Sequence, residues 1–327
     1  MKALVTGGAG FAGSHLTEVL LGLGWETTVL AAEQEDLGNI RHLLGNVRVL
    51  RGDLRDAEGL RGLVRSCAPD RVFHLAALSS PSESVRNPAL AYEVNFLGTL
   101  NLLLACRPLG KDLRFLFVSS SEVYGVVGSG NLPLREESPL RPANPYAGSK
   151  AAGEMLAYQF FKSDGMAVVR VRPFNHTGPR QSPTFVCSDF ARQVAEIELG
   201  LRPPRITVGN LKVERDFSDV RDIVRGYHLL LEKGQPGEVY QLGAGRAVSI
   251  EEILQTLLRQ TTVPVEVVID PARVRPSESP SVWGDTSKAE SSVAWKREFS
   301  LEKALRDVKQ DWTDKLSEDL ARRKASS

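Results

Sequence analysis

Residues 2–13 read K-A-L-V-T-G-G-A-G-F-A-G. Five residues of strand-like text run straight into three glycines, Gly7, Gly10 and Gly13, spaced G-x-x-G-x-x-G, and the helix-forming segment Ser14–Leu23 follows. Glycines there let the backbone turn tightly and approach a pyrophosphate, which rests on the free N–H groups of the helix N-terminus. The strand before and the helix after predict a dinucleotide site whose cradle is Gly7, Gly10, Phe11, Ala12 and Gly13. Beyond it, strand-like runs at Glu26–Leu30 and Arg71–Leu75 alternate with helical text. That alternation predicts an α/β fold with a Rossmann-type, doubly wound parallel sheet. The expected division is a dinucleotide-binding domain over residues 1–170 and a substrate domain over 171–327.

The bulk properties agree with an ordinary globular protein. The chain has 327 residues, 42% of them hydrophobic and 25% charged, enough for two packed lobes. A net charge of +1 gives no electrostatic reason to expect nucleic acid or an anionic membrane. Cys67, Cys106 and Cys187 are widely spaced, show no metal-ligand pattern and read as free thiols, so no metal is expected. No leader is read before the first strand, and no apolar run is read as reaching the roughly 18 residues that span a bilayer. The expectation is a cytoplasmic protein.

A second stretch carries the chemistry. Residues 118–125 read V-S-S-S-E-V-Y-G, and residues 145–150 read P-Y-A-G-S-K ahead of a proline-free helical segment. Tyr146 and Lys150, four apart, share one face of a helix. A nearby ammonium stabilises a phenolate, so the pair predicts a tyrosine tuned downward to exchange a proton with a hydroxyl or ketone. Ser120, just after the apolar run Phe115–Val118, can give that oxygen a second hydrogen bond. Leu75, Ala76 and Ala77 follow a buried strand, where small residues let a cofactor lie against the backbone. His74 reads as structural. Ser79 and Ser80 open a loop that can face a sugar.

The order of glycine loop, serine-ended strand and Tyr-x-x-x-Lys resembles the extended short-chain dehydrogenase/reductase family. The resemblance adds a smaller C-terminal α/β substrate lobe to the fold. It implies an NAD- or NADP-dependent enzyme with Ser120, Tyr146 and Lys150 as catalytic residues, Lys150 also holding the nicotinamide ribose. It puts Asp53 and Leu54 at the adenine, although Asp53 also reads as a helix N-cap. Alanines follow the second strand where an acidic residue would grip the ribose. Glu33 or Glu35 could reach it, and the choice between NAD and NADP stays open with a slight lean to NAD. Asn95, in the apolar helical run 88–106, braces the catalytic region and counts among the cofactor-side residues. That run and the helix after Tyr146 form a dimer interface in relatives, which implies a homodimer; packing against the sheet explains the same apolar residues equally well. Pro173, Phe174 and Asn175 are expected near the nicotinamide.

The second half narrows the resemblance. T-F-V-C-S-D-F-A (184–191), V-G-N-L-K-V-E-R-D-F-S-D-V-R-D-I-V (208–224) and R-P-S-E (275–278) are similar to the GDP-mannose-modifying branch of that family. By that resemblance Arg215, Arg275 and Glu278 bind a GDP moiety, which suits guanidinium forks on a diphosphate and a carboxylate on guanine or a ribose diol. Ser79, Ser80, Ser121, Asn175 and Val186 complete the implied substrate contacts. The implied reaction is reduction of the 4-keto group of a GDP-linked 4-keto-6-deoxyhexose. A 4,6-dehydratase and a 4-epimerase are the alternatives, because Glu122 stands two residues after the catalytic hydroxyl, where a dehydratase needs its acid/base. Three departures favour reduction: the first glycine loop lacks G-Q-D-G, the hydroxyl is Ser120 rather than threonine, and Asp189 replaces a nucleotide-contacting lysine.

Overall fold

The computed structural model describes residues 1–274 and 279–326. Its first half runs β1 (Lys2–Thr6), α1 (Phe11–Gly22), β2 (Glu26–Ala31), β3 (Arg48–Arg51), α2 (Ala57–Cys67), β4 (Arg71–His74), α3 (Pro81–Arg86), α4 (Pro88–Tyr92), α5 (Gly98–Cys106), β5 (Arg114–Val118), α6 (Pro145–Asp164), β6 (Ala167–Pro173) and β7 (Asn175–Thr177). There follow α7 (Val186–Glu198), β8 (Arg205–Val208), β9 (Glu214–Arg215), β10 (Phe217–Asp219), α8 (Val220–Lys233), β11 (Val239–Leu242), β12 (Val248–Ser249), α9 (Ile250–Leu258), β13 (Glu266–Ile269), β14 (Ser281–Val282), α10 (Ser287–Val293) and α11 (Leu301–Ser326).

Seven strands form one parallel sheet in the order β11-β6-β5-β4-β1-β2-β3. Neighbouring residues on each strand point to opposite faces. Val5, Phe73 and Leu116 therefore meet Leu16 and Leu20 of α1 and Ile223, Val224 and Tyr227 of α8. Leu4, Val72, Phe115 and Phe117 meet α2, α5 and α6 through Leu60, Leu102, Ala157 and Phe160 on the other face. The chain reverses its direction across the sheet between β1 and β4, and the loops leaving the strand ends open a crevice there, the place where ligands bind in open α/β sheets. A smaller core joins α7, β8, α9 and α11 around Phe190, Ile206, Leu254 and Leu305.

A single cut at residue 170 does not divide these lobes. The strand β11 pairs with β6, Val239 opposite Arg170, and α8 packs on α1, so both return to the first lobe from the second half of the chain. The apolar run near residue 90 also departs from expectation. Pro88–Leu109 is long and apolar enough to cross a membrane by length and composition. Here Leu102, Leu103 and Cys106 are buried in the sheet core, where α5 packs between α2 and α6, as befits a core helix. A π turn at Glu93–Leu97 interrupts it and carries the buried Asn95. All three cysteines are buried and free, as expected.

Candidate active site

The crevice, about 660 Å³, begins at the glycine loop. Gly7 has φ +69°, and a Cβ on it would meet the Ala76 backbone at 2.9 Å. A Cβ on Gly13 would lie 2.0 Å from the Gly7 carbonyl oxygen, so the helix enters the loop as closely as bare backbone allows. Gly10 caps α1 without a side chain, and the first turn holds no acidic residue. An uncapped, uncompensated helix N-terminus behind a glycine cradle is the donor set that a pyrophosphate requires. Gly7, Gly10, Phe11, Ala12 and Gly13 all line the crevice, as do Leu75, Ala76 and Ala77.

At the adenosine end Asp53 and Leu54 line the wall beside Gly52 and Arg55. Asp53 is not a helix cap; Asp56 is, accepting from Gly59 N at 3.0 Å. Asp53 instead pairs with Arg55, whose Nη2 donates to Oδ2 at 2.6 Å, and this holds its carboxyl below the usual range. Glu35 reaches the wall while Glu33 does not. Its side chain folds back to accept from Ala32 N at 3.0 Å, and burial pushes its pKa up. Arg51 Nη1 ties the same turn through the Ala32 and Glu35 carbonyls, at 2.6 and 2.8 Å.

The opposite end is built on β5 and α6. Ser119 and Ser120 leave the strand, and the Ser120 hydroxyl accepts from Glu122 N at 3.1 Å. Asn144 caps α6, accepting from Ala147 N at 2.8 Å, and Pro145 starts the first turn. The Asn144 amide nitrogen also donates to Glu122 Oε2 at 3.3 Å, which ties the carboxylate to the start of the catalytic helix. Ser120, Ser121, Glu122, Tyr146 and Lys150 all line the crevice, and a hydrogen bond from Ser120 favours the Tyr146 phenolate. Burial nevertheless dominates and raises the Tyr146 pKa to about 12, with Glu122 adding to the rise. This corrects the expected downward tuning. The Lys150 ammonium sits 4.8 Å from the Phe117 ring, burial lowers its own pKa to about 7, and it is not among the groups that shift Tyr146.

Asn95 braces this end from behind rather than lining it, which corrects its placement among the cofactor contacts. Its Oδ1 accepts from Leu78 N at 2.7 Å, and its Nδ2 donates to the Leu78 carbonyl at 3.2 Å and to Ser149 Oγ at 2.9 Å. The loop after β4 and α6 are thereby locked together. His74 is structural as expected: its ring nitrogens meet Thr6 Oγ1 at 2.7 Å and Thr99 Oγ1 at 2.9 Å, and burial lowers its pKa to about 3. Since the unfolded chain takes up that proton near pH 6.5 and the folded chain does not, this contribution to stability is lost as pH falls through 6.5 toward 3. We expect the melting temperature of the parent to fall more steeply between about pH 6.5 and 5 than that of a His74→Gln variant; parallel slopes would refute this.

On the substrate side Ser79, Asn175, Val186 and Pro173 line the crevice with Phe174 and His176. Ser80 does not. Its hydroxyl caps α3, accepting from Glu83 N at 3.3 Å. Arg215 does not reach the wall either: on the short strand β9 its Nη1 donates to the Glu214 and Ser279 carbonyls at 2.7 and 3.1 Å, and it feels the charge of Glu122. Arg275 and Glu278 fall outside the described residues. Asp189 pairs with Arg273, Nη1 to Oδ2 at 2.7 Å. The sequence reading missed Ser119, Gln181, Phe185, Cys187, Phe217 and Tyr227, which also line the crevice. Ser119 Oγ is buried without a partner among the described residues. Phe185, Cys187 and Phe217 fall within the motifs 184–191 and 208–224 and Ser119 within the serine run 119–121, whereas Gln181 in the loop after β7 and Tyr227 within α8 belong to no motif. Among the described residues no group of three or more metal-ligating side chains forms.

Residues 4–308 match the family model described as GDP-mannose 4,6 dehydratase. The chain is 36% identical over 318 residues to GDP-6-deoxy-D-mannose reductase of Pseudomonas aeruginosa, covering 97% of this chain and 99% of that protein. Among solved structures it resembles RMD from Pseudomonas aeruginosa complexed with NADPH, with a TM-score of 0.85, 35% identity and coverage of 96% and 99%. It also resembles the UDP-glucose 4-epimerase of Thermus thermophilus complexed with NAD, with a TM-score of 0.84, 33% identity and coverage of 95% and 99%.

Proposed function

The chain belongs to the GDP-mannose 4,6-dehydratase family, within the extended short-chain dehydrogenases/reductases, and from that premise we propose that it reduces the 4-keto group of GDP-4-keto-6-deoxy-D-mannose to GDP-D-rhamnose with NADH or NADPH. The observation that carries this reading is the likeness to a GDP-6-deoxy-D-mannose reductase over 97% of the chain, in a molecule where Ser120, Tyr146 and Lys150 face one crevice with the glycine cradle. A nicotinamide dinucleotide fits that crevice. Gly7, Gly10 and Gly13 would hold its pyrophosphate, Asp53 and Leu54 its adenine, and Lys150 its nicotinamide ribose.

When bound, the reduced nicotinamide supplies the hydride that ketone reduction needs. The chain supplies the proton and the polarisation. With its pKa raised to about 12, Tyr146 holds its Oη proton at neutral pH, which suits a general acid that passes it to the developing O4 oxyanion. Ser120 Oγ donates to the same oxygen, and its hydrogen bond to Tyr146 favours the anion left behind. Ser79, Ser121, Asn175 and Val186 contact the sugar, while Arg215, Arg275 and Glu278 take the GDP moiety, in this reading.

One observation favours a second reading. Glu122 lines the crevice, held by Asn144, where a 4,6-dehydratase would place its acid/base. Nicotinamide absorbance on mixing enzyme, NADH or NADPH and GDP-4-keto-6-deoxymannose separates the two. Substrate-dependent loss of reduced cofactor is the expected result and also ranks the cofactors. Formation of a 4-keto product from GDP-mannose without added reductant would overturn reduction and give Glu122 the central role.

The reading includes a cytoplasmic homodimer. Val85, Tyr92, Leu97, Met155 and Tyr158 are exposed by 37–63% on the α3–α5 run and α6, an apolar surface on two neighbouring helical segments. Replacing Leu97 and Met155 together by Asp is expected to convert a dimer to a monomer in light scattering; an unchanged dimer mass would place the interface elsewhere.

A further inference from the structure

Residues 146–154 read Y-A-G-S-K-A-A-G-E, so Tyr146, Lys150 and Glu154 form one stripe along α6 at successive turns. Glu154 is wholly buried and does not line the crevice. Its carboxylate is clamped from β6. Arg172 Nε donates to its two oxygens at 3.2 and 3.0 Å, Nη2 donates to Oε1 at 2.6 Å, and Arg170 Nη1 stands 3.5 Å from Oε1. Arg172 is fixed in turn, its Nη1 donating to the Tyr124 hydroxyl at 2.8 Å and to the Glu136 carbonyl at 2.9 Å.

A buried ion pair is an expensive way to stabilise a fold, since apolar residues of similar volume often serve as well. Its position suggests another use. We propose that Glu154 is the positioning residue of the proton-transfer pair, a buried anion that the Arg172 fork aims along α6 at the Lys150 ammonium. The proposal rests on the roles given above to Tyr146 and Lys150.

The surroundings of Lys150 support it. The ammonium is faced by the Phe117 ring from β5, by His74 from β4, and by Tyr146 and Glu154 on its own helix. His74 is neutral and Tyr146 protonated at neutral pH, so Glu154 is the one anion acting on Lys150 among the described residues. Glu154 itself is faced by Lys150, Arg170 and Arg172, with Tyr124 and the raised carboxyl of Glu136 behind Arg172, and Tyr158 under Arg170. Burial drives Lys150 toward its neutral form and Glu154 opposes it. Removing that charge lets the ammonium lose its proton at lower pH, and Lys150 then no longer serves the ribose as a cation.

The test measures NADPH binding by nicotinamide fluorescence across pH, which needs no sugar substrate. In Glu154→Gln the alkaline limb of binding moves about one pH unit or more below that of the parent, and the limb of kcat moves with it. Because Glu154→Gln strands two buried arginines, a Glu154→Gln/Arg172→Met variant removes both members of the pair and shows the same displacement, while Glu154→Asp restores the limb. A merely structural role would lower the melting temperature and leave the limb in place. An unmoved limb in variants that bind NADPH overturns the proposal alone, whereas a parent that binds no NADPH overturns the reading of the crevice and this inference with it.

Discussion

Tyr146→Phe lowers kcat by about three orders of magnitude, in the range expected for losing a positioned proton donor, while NADPH binds within a few-fold of the parent. The ring is retained and only Oη is lost. The contacts that hold the start of α6 use backbone groups: Tyr146 N donates to Ser84 Oγ at 3.1 Å and its carbonyl accepts from Ser149 Oγ at 2.8 Å. The fold therefore survives the substitution, and the loss reports chemistry. Rate measurements with GDP-4-keto-6-deoxymannose, alongside NADPH titration, check it. Turnover near that of the parent would strip Tyr146 of its role. Since the phenol holds its proton to about pH 12, we also expect the parent to keep its proton donor throughout the mildly alkaline range.

Gly13→Ala abolishes cofactor binding, raising the NADPH dissociation constant by about 100-fold or more, as the loss of a whole pyrophosphate cradle implies. The new methyl would lie 2.0 Å from the Gly7 carbonyl oxygen and 2.8 Å from Gly8 Cα. Both are backbone atoms, so no rotamer change relieves the overlap and the cradle must open. Gly22→Ala, on the same helix but with nothing within 4 Å of the added carbon, is the control and leaves binding unchanged. The helix favours alanine over glycine by up to about 1 kcal/mol, so this control also melts no lower than the parent. Equal affinity in both variants would mean that the loop does not carry the pyrophosphate.

What was legible in the sequence was whatever depends on short spacing. The glycine loop, the serine after β5 and the Tyr-x-x-x-Lys pair each need their residues within one turn of backbone, and each came out where read. Side chains whose role is set by distant partners were misjudged. Ser80 is spent capping α3, and Asn95 faces Leu78 and Ser149 rather than the crevice. Tyr227 enters the crevice wall from the middle of a helix packed on the sheet, and no local pattern announces that. The direction of the Tyr146 shift failed for a related reason: charge spacing can be read along a helix, but desolvation depends on what the rest of the fold stacks over it. The lobe boundary was misplaced because nothing in the text of Val239–Leu242 says that its strand pairs with Arg170–Pro173, laid down far earlier in the chain.

That pairing has a consequence for how the molecule is made. A nascent chain released as far as β6 presents a row of unpaired backbone groups along Arg170 and Arg172, while the neighbouring Val169 and Val171 side chains lack α8 to cover them. Only when β11 emerges at Val239–Leu242 does that edge acquire its neighbour. Synthesis must therefore carry α7, β8 and α8 out of the ribosome before the seven-stranded sheet can be completed, so the first lobe waits on part of the second.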